Sequence, residues 1–394
     1  MSIKTYLDQI PRELKLFIVA SLVMGVAFAM FDSAFNNFLN ERYALDGFER
    51  SFLEFPRELP GIAVIFVSAL FGSMSSRRLG VISLLLACTS SILIGFAAPT
   101  YLIMIFWLFA YSLGQHLFMP LSYSIGMELA EKGKIGRRLG QLQAVRNLAL
   151  ICGGFLVFLG FKYLNFTFEF NFVLVAIGLG IAAVLMFTMK PEGSGQSKTF
   201  LKLHKEYKLY YFLMLLAGSR KQIFLTFAPW VIVTIFNQPT ETIATLFTIG
   251  GIIGIVFQPF LGRMIDRLGE RFIMATEAVC LVIICLGYGF SKFWLPENIA
   301  FYAVAFFFIL DQMLNSVGMA RSMYIKKIAL QPEDVQPALT AGVAIDHIFS
   351  ITVALVGGVL WDTFGFQYVF LFGVFIAIIN FFTALQARTP KQVI

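Results

Sequence analysis

Long apolar runs alternate with short polar segments along the whole chain. An α-helix needs about 20 mostly apolar residues to cross a bilayer. Strands of a membrane barrel would instead be alternating segments of about ten residues, and the runs here are longer and more continuous. Twelve segments have the length and apolar character of membrane-spanning helices, and we number them spans 1 to 12: 14–39, 52–75, 80–97, 101–129, 139–163, 168–189, 208–236, 241–264, 271–291, 297–325, 336–361 and 366–387. The pattern predicts an all-α polytopic membrane protein.

The amino-acid composition narrows the class further. Hydrophobic residues make up 58% of the chain and charged residues 13%, whereas soluble domains are about 45–50% apolar and about 25% charged. This composition excludes a soluble enzyme, a disordered chain and a disulfide-rich secreted domain. The four cysteines lie in apolar runs without zinc-ligand spacing, so we expect small buried side chains. A nucleotide-binding loop, G-x-x-x-x-G-K-S/T, does not occur, so neither ATP-driven transport nor a cofactor is expected.

The distribution of basic residues indicates the orientation in the membrane. If both termini are cytoplasmic, the cytoplasmic segments carry 21 Lys and Arg. The external loops then carry four: Arg42, Arg50, Lys162 and Lys292. The positive-inside rule therefore predicts that both termini are cytoplasmic, and it explains the net charge of +7 without a nucleic-acid partner. Short loops and the lack of added soluble domains indicate a bacterial inner (plasma) membrane.

The longest polar segment, 190–207, divides the spans into six plus six. Its Gly/Ser-rich start predicts a flexible cytoplasmic linker between an N-terminal bundle, 1–189, and a C-terminal bundle, 208–394. The two halves are weakly similar in three places. The similar segments are 113–117 with 310–314, 153–154 with 357–358, and 161–163 with 366–368. Repeated six-helix halves are typical of transporters, whose substrate site lies near the membrane midplane between the halves.

The loop between spans 8 and 9 carries a recognisable motif. Its sequence, Gly262-Arg-Met-Ile-Asp-Arg-Leu-Gly-Glu-Arg271, resembles the G-x-x-x-D-R-x-G-x-R motif of the major facilitator superfamily. With the twelve spans and the central linker, the resemblance covers essentially the whole chain. The corresponding first-half loop, 72–80, lacks the Asp, and span 5 lacks the Gly-Pro motif of many drug antiporters. The resemblance therefore implies the superfamily fold, two six-helix bundles working by alternating access, but not a standard drug/proton antiporter.

The resemblance also implies which spans line the cavity. Spans 1, 4, 7 and 10 are expected to line it and spans 2, 5, 8 and 11 to flank it, while spans 3, 6, 9 and 12 face lipid. A charge in hydrocarbon costs at least about 2.5–3.5 kcal/mol, so a charged side chain should face the cavity or a partner. The cores of spans 3, 6 and 12 carry no charge, and span 9 carries Glu277. The predicted cavity residues are Asp32, Asn36, His116, Arg220, Lys221, Asp311, Asn315 and Asp346.

Several of these residues have two interpretations. Arg220 and Lys221 are adjacent and point about 100° apart, so one can face the cavity while the other pairs with Asp346 or Asp311. Alternatively, both are locked in ion pairs that hold spans 7, 10 and 11 together. In the first case, the arginine offers planar bidentate donors to a substrate carboxylate or phosphate. His116 is either a cavity residue or a hydrogen-bonded core histidine.

Other polar residues are candidates for coupling and gating. Asp311, Asp346 and His347 are proton-coupling candidates, because protonation would change contacts between helices; a permanent salt bridge is the alternative for the aspartates. No metal site is predicted, since the histidines and aspartates form no local ligand motif. The candidate gate residues are Glu54, Arg57 and Glu58 at the outer end of span 2, and Arg146, Asp266, Arg267 and Arg321 toward the cytoplasm.

These features predict a secondary active transporter and not an enzyme. The expected cargo is a small anionic or amphipathic organic solute. The expected coupling partner is the proton or another ion, and the protein is expected to act as a monomer in the lipid bilayer. Three alternatives stay open: a drug or lysolipid exporter or flippase, a metal or metal-chelate transporter, and a non-transporting receptor on the same fold.

Overall fold

The computed structural model of the chain describes residues 11–70, 74–131, 135–190, 204–331 and 334–388. All regular elements among these residues are helical. The helices are Arg12–Tyr43 (span 1), Gly47–Phe52, Glu54–Leu70 (span 2), Ser76–Phe96 (span 3), Tyr101–Glu128 (span 4), Ile135–Tyr163 (span 5), Phe168–Phe187 (span 6), Lys205–Tyr207 (the end of the linker), Lys208–Gln222, Ile223–Phe227 and Ala228–Thr234 (span 7), Thr240–Leu268 (span 8), Glu270–Trp294 (span 9), Glu297–Leu314, Asn315–Val317 and Gly318–Ile328 (span 10), Val335–Phe364 (span 11) and Phe366–Ala384 (span 12). The predicted all-α membrane fold is confirmed, and the described residues of each of the twelve segments are largely helical.

Ten of the described helices are long and apolar enough to cross a membrane. Spans 2 and 7 are not among these ten helices, and the reason differs between them. The helix of span 2 is described for 17 residues, while span 7 is interrupted by a π-helical turn at Ile223–Phe227. Span 10 contains a similar break, the 3₁₀ turn Asn315–Val317. Such breaks often mark functional positions, because they redirect side chains in the middle of a helix.

The chain forms two compact units. The first unit contains Met1–Tyr43, Ala63–Lys198 and Thr240–Gly251. The second unit contains Ala44–Ile62, Thr199–Pro239 and Ile252–Ile394. The start of span 2 thus groups with the second half of the chain, and the start of span 8 with the first. The division into bundles 1–189 and 208–394 stays a prediction, and most of the predicted linker 190–207 lies outside the described residues.

In the first unit, glycines allow helices to approach backbone to backbone. A Cβ atom on Gly153 of span 5 would lie 2.7 Å from the carbonyl oxygen of Val26 in span 1. A Cβ atom on Gly114 of span 4 would lie 2.5 Å from the carbonyl oxygen of Ser83 in span 3. Small residues at such crossings are how membrane helices gain close van der Waals contact, since lipid supplies no hydrophobic drive between them.

In the second unit, one apolar cluster joins spans 7 to 12. Its buried members include Tyr210, Leu261, Ile273, Tyr324, Ala338 and Ala384, one each from spans 7 to 12. The cluster lies close to the loop between spans 8 and 9, where Gly269 ends one helix and begins the next with a φ of +82°. Only glycine adopts this backbone region without strain. The turn that carries the loop motif therefore depends on Gly269.

We predict opposite effects for alanine at two glycines of this motif. Gly269→Ala should lower the free energy of unfolding by about 1–3 kcal/mol, because the side chain strains the backbone at φ +82°. Gly262→Ala should be neutral or stabilising by up to about 1 kcal/mol, because it lies in a helix where a Cβ meets no atom within 4 Å. Thermal unfolding of the two detergent-solubilised variants and the wild type measures the change in stability that each substitution causes. Equal loss of stability in both would contradict the backbone argument.

Candidate functional site

Buried or half-buried ion pairs tie the helices of the second unit to one another. Each pair joins residues of two different spans, and most of the side chains involved are largely shielded from solvent. The pairs are Arg220–Asp311, Lys221–Asp346, Arg321–Glu277, Lys327–Glu270 and His347–Glu58. Several residues predicted to line the cavity are therefore bound to carboxylates within this unit.

Arg220 connects span 7 to span 10. Its guanidinium contacts the Asp311 carboxylate and donates to the Asp311 carbonyl oxygen at 3.1 Å and to Asn315 Oδ1 at 2.8 Å. Arg220 and Asp311 are only 6% and 3% exposed. Asn315 opens the 3₁₀ turn of span 10, so the break in that helix places its amide against the guanidinium. The structure thus brings three predicted site residues together and commits Arg220 to internal partners.

Lys221 connects span 7 to span 11. Its Nζ atom lies 2.5 Å from Asp346 Oδ2, and the lysine side chain keeps 31% of its surface exposed. The close approach of the two spans depends on Gly218, where a Cβ would lie 2.5 Å from Asp346 Oδ1. The adjacent residues Arg220 and Lys221 therefore bind carboxylates on two different helices, as their angular separation predicts.

His347 follows Asp346 on span 11 and contacts Glu58 of span 2. The contact joins His347 Nδ1 to Glu58 Oε2, and Glu58 is 6% exposed. Two neighbouring positions of span 11 thus contact groups on spans 7 and 2. We refer to these four side chains as the charge cluster.

A second buried pair joins the short helix Gly47–Phe52 to the start of span 2. Arg50 Nη1 lies 2.7 Å from Glu54 Oε1, and neither side chain is exposed. Arg57 lies 3.6 Å from the same oxygen, and the Arg50 guanidinium lies 5.8 Å from the centre of the Trp230 ring in span 7. Sequence analysis had placed Arg50 among the external loop charges. Its i, i+4 spacing to Glu54 is the signal that could have identified the pair.

The short helix Gly47–Phe52 docks on the end of span 11. The Asp362 carboxylate accepts backbone N–H groups from Gly47 at 2.9 Å and Phe48 at 2.7 Å. A Cβ on Gly358 would lie 1.9 Å from Ser51 Oγ, so the two segments touch closely. Asp362 is not among the residues predicted from the sequence, because nothing in the local sequence shows that a carboxylate near the end of span 11 will meet backbone N–H groups 314 and 315 residues away.

Arg321, a gate candidate, lies in a buried pair with Glu277. Arg321 Nη1 lies 2.7 Å from Glu277 Oε2, with side chains 6% and 0% exposed. Although span 9 was expected to face lipid, its single core charge therefore points into the protein. The pair satisfies both charges, as the cost of ions in hydrocarbon requires.

The predicted cavity residues of the first unit show mixed burial. Asp32 is half-buried, and Asn36 is 6% exposed on the same helix. His116 is half-buried, with Nδ1 2.9 Å from the carbonyl oxygen of Ser112 and 3.0 Å from its Oγ. A carbonyl oxygen accepts from Nδ1–H, which is the arrangement of a hydrogen-bonded core histidine.

Arg146 is exposed although it lies within span 5. It shares a helix face with Ala149 and Gly153, at i+3 and i+7. A Cβ on Gly25 of span 1 would meet Ala149 Cβ at 2.6 Å, so this face packs on span 1. Arg146 is therefore an exposed residue on the helix face of span 5 that packs on span 1.

The loop residues Asp266 and Arg267 are exposed at the end of span 8. Beside them, Glu270 at the start of span 9 is 2% exposed and lies 2.6 Å from Lys327 Nζ at the end of span 10. The first unit has a counterpart with reversed charges. There Arg77, at the start of span 3, contacts Glu128 at the end of span 4, and it lies 3.5 Å from Glu13.

The end of the predicted linker is fixed to the segment before span 11. The Tyr207 hydroxyl donates to Asp334 Oδ2 at 2.8 Å and accepts the Leu330 N–H at 2.9 Å. His204 Nε2 lies 3.6 Å from the other Asp334 oxygen. Burial raises the pKa of the Tyr207 phenol above its ordinary value, so the hydroxyl keeps its proton and its role as donor.

The sequence pattern of the Major Facilitator Superfamily matches residues 59–325 and 210–393. The chain belongs to this superfamily of membrane transporters. No curated protein matches the sequence.

Three solved structures have a similar fold. The nucleoside transporter NupG has a TM-score of 0.76 at 12% identity, over 95% of this chain and 98% of that one. A D-xylose–proton symporter has a TM-score of 0.67 at 16% identity, over 95% and 98%. The human organic anion transporter MFSD10 has a TM-score of 0.64 at 12% identity, over 95% and 99%. At these identities the likeness shows the fold alone.

We predict that the fold needs Arg321 and Glu277 only to neutralise each other, so that losing one charge destabilises the protein and losing both does not. Arg321→Ala should lower the free energy of unfolding by about 3–5 kcal/mol, because it leaves a buried carboxylate without a counter-charge. Arg321→Met combined with Glu277→Leu should restore most of that loss, since apolar residues of similar volume replace both charges. Denaturant unfolding in micelles measures each value. A double variant as unstable as the single one would contradict this interpretation.

Proposed function

We propose that the protein is a proton-coupled secondary transporter that moves a small organic solute with an anionic group by alternating access. The observation that carries the proposal is the cluster at Asp346 and His347. These neighbours on span 11 contact Lys221 of span 7 and Glu58 of span 2. Each contact depends on the charge of a group that can gain or lose a proton. The D-xylose–proton symporter of the same fold supports the coupling ion.

Protonation would change how the helices are held. If Glu58 or Asp346 takes up a proton, the carboxylate loses the negative charge that attracts its partner. The contact between span 2 and span 11, or between span 7 and span 11, then weakens. A change of charge at one point thereby biases a two-state contact between helices, which is how local electrostatic switches act. The retention of costly ions in an apolar setting supports a functional role, because apolar replacements can be equally stable.

Alternating access also needs contacts that open and close at both ends. At one end, the docked segment Gly47–Phe52 with Glu54, Arg57 and Glu58 forms the candidate outer gate on span 11. At the other end, the exposed residues Asp266 and Arg267 belong to the candidate cytoplasmic gate. The six-helix bundles 1–189 and 208–394 are the bodies that we propose to rock.

Arg146 is the arginine that we assign to the substrate anion. Arg146 is exposed and shares a helix face with Ala149 and Gly153, which pack on span 1. Gln143 and Asn147 lie beside it and are joined by a hydrogen bond of 3.2 Å. A planar guanidinium with neighbouring amides suits a carboxylate or phosphate. The similar fold of a human organic anion transporter supports this cargo class.

The substrate class is testable with a ligand screen. Purified protein would be heated with organic anions, organic cations, sugars, lysolipids and divalent metals at two pH values. A ligand that binds the folded state raises its stability in proportion to ln(1 + [L]/Kd). We expect stabilisation by an organic anion that is lost in Arg146→Ala and kept in Arg263→Ala, which removes an exposed arginine elsewhere. Stabilisation by a cation, sugar, lysolipid or metal alone would contradict the anionic cargo.

The proposed proton coupling can be tested by measuring solute uptake into proteoliposomes under an imposed pH gradient. The solute is the organic anion that stabilises the protein in the ligand screen. Glu58→Gln should abolish uphill uptake while exchange of solute between the two sides continues, because a neutral amide cannot carry the proton. Glu297→Gln is the matched control. It makes the same carboxylate-to-amide change on an exposed glutamate at the start of span 10, outside the gate and coupling residues, so uphill uptake should persist. Uphill uptake in Glu58→Gln at the rate of Glu297→Gln would contradict the assignment.

A further inference from the structure

A surface cavity of about 570 Å³ lies at the end of the second unit where span 8 finishes and span 9 begins. Its walls come from four spans or their ends. They include Leu268, Gly269 and Arg271 between spans 8 and 9, Tyr324 of span 10, and Arg388 after span 12. The volume falls within the range of small-ligand sites, about 300–1,000 Å³.

The cavity is electropositive. Arg271 and Arg388 are both exposed and line it from opposite parts of the sequence. The acidic residue in its wall, Glu270, is 2% exposed and is bound by Lys327 Nζ at 2.6 Å. Its charge is therefore compensated, and the two arginine side chains dominate the field that a ligand would meet.

The backbone adds donors to the same place. The helix of span 9 is 25 residues long. Its N-cap residue, Gly269, has no side chain that could accept hydrogen bonds from the first N–H groups of the helix. The first N–H groups of a helix have no partners within the helix and favour anions. A Cβ on Gly269 would meet no atom within 4 Å, so open space reaches the start of the helix. Two arginines and the helix start thus converge on one cavity.

The surroundings indicate which anion fits. Leu268 on the cavity wall is 50% exposed, and Phe272 next to Arg271 is 52% exposed. The cavity lies at the ends of helices that cross the membrane, which is the level of lipid headgroups. A soluble phosphate would use the arginines but not this apolar rim. Basic pockets between membrane helices are sites for anionic lipid headgroups.

We propose that this cavity binds the phosphate of an anionic phospholipid. The phosphate lies between Arg271 and Arg388 at the start of span 9, and the acyl chains follow the exposed surface of Leu268 and Phe272. The site is separate from the proposed coupling cluster, so its test does not depend on the transport proposal.

Lipid binding by the purified full-length protein tests the proposal. Phosphatidylglycerol and phosphatidylcholine would be titrated into the micelle-bound protein, with retained lipid counted by native mass spectrometry and stability followed by thermal unfolding. The wild-type protein should retain phosphatidylglycerol and be stabilised by it in preference to phosphatidylcholine. Arg271→Ala with Arg388→Ala should bind phosphatidylglycerol roughly thirtyfold more weakly.

The matched control is Arg78→Ala with Arg263→Ala. It removes the same charge from two exposed arginines outside the cavity lining, and it should bind phosphatidylglycerol like the wild type. If the variant with Arg271→Ala and Arg388→Ala does not fold, Arg388→Ala alone replaces it. We expect this single variant to bind phosphatidylglycerol roughly fivefold more weakly than the wild type. Unchanged binding in the cavity variants, or an equal loss in both double variants, would overturn the proposal. Displacement of the lipid by inorganic phosphate at equal concentration would also overturn it, because the apolar rim would then contribute nothing.

Discussion

The cost of a charge in hydrocarbon is the constraint on which the second unit depends. A single unpaired ion there costs at least about 2.5–3.5 kcal/mol, and removing one partner of a buried pair costs about 3–5 kcal/mol. Arg220 therefore holds span 7 against Asp311 of span 10, and Arg321 holds span 10 against Glu277 of span 9. Because each pair joins two spans, satisfying the charges also fixes which helices are neighbours. The glycine contacts then set how closely those helices approach.

The cost of an unpaired charge also explains why these ion pairs suit a protein that changes conformation. A pair that contains a carboxylate or a histidine changes its attraction when a proton binds, so a packed helix contact becomes conditional on protonation. Each unit also has an ion pair between the start of one helix and the end of the next, with opposite charge order. In the first unit, Arg77 of span 3 contacts Glu128 of span 4. In the second, Glu270 of span 9 contacts Lys327 of span 10. The start of one helix is thus fastened to the end of the next in both halves, with the charges exchanged.

Much of the fold could be predicted from the sequence, and less of the site. The twelve spans follow from hydrophobic length alone, and Arg220 and Lys221 had few carboxylates within reach, so Asp311 and Asp346 could be proposed as their partners. Arg50 was assigned to an external loop, because its burial depends on a short helix that packs near Trp230. Asp362 could not be predicted, since its partners are backbone N–H groups. The inward direction of Glu277 depends on the rotation of span 9 about its axis and on the position of Arg321 in span 10, which the pattern of span 9 alone does not give.

The central claim is that the contact between the start of span 2 and span 11 opens and closes during transport. Ser51→Cys with Gly358→Cys tests it in a background without the four native cysteines. A Cβ on Gly358 would lie 2.8 Å from Ser51 Cβ, so a disulfide can form with a small backbone adjustment. Solute flux in proteoliposomes would be measured after oxidation and again after reduction. The account predicts that the cross-linked protein does not transport and that reduction restores the flux. Full transport by the cross-linked protein would contradict it.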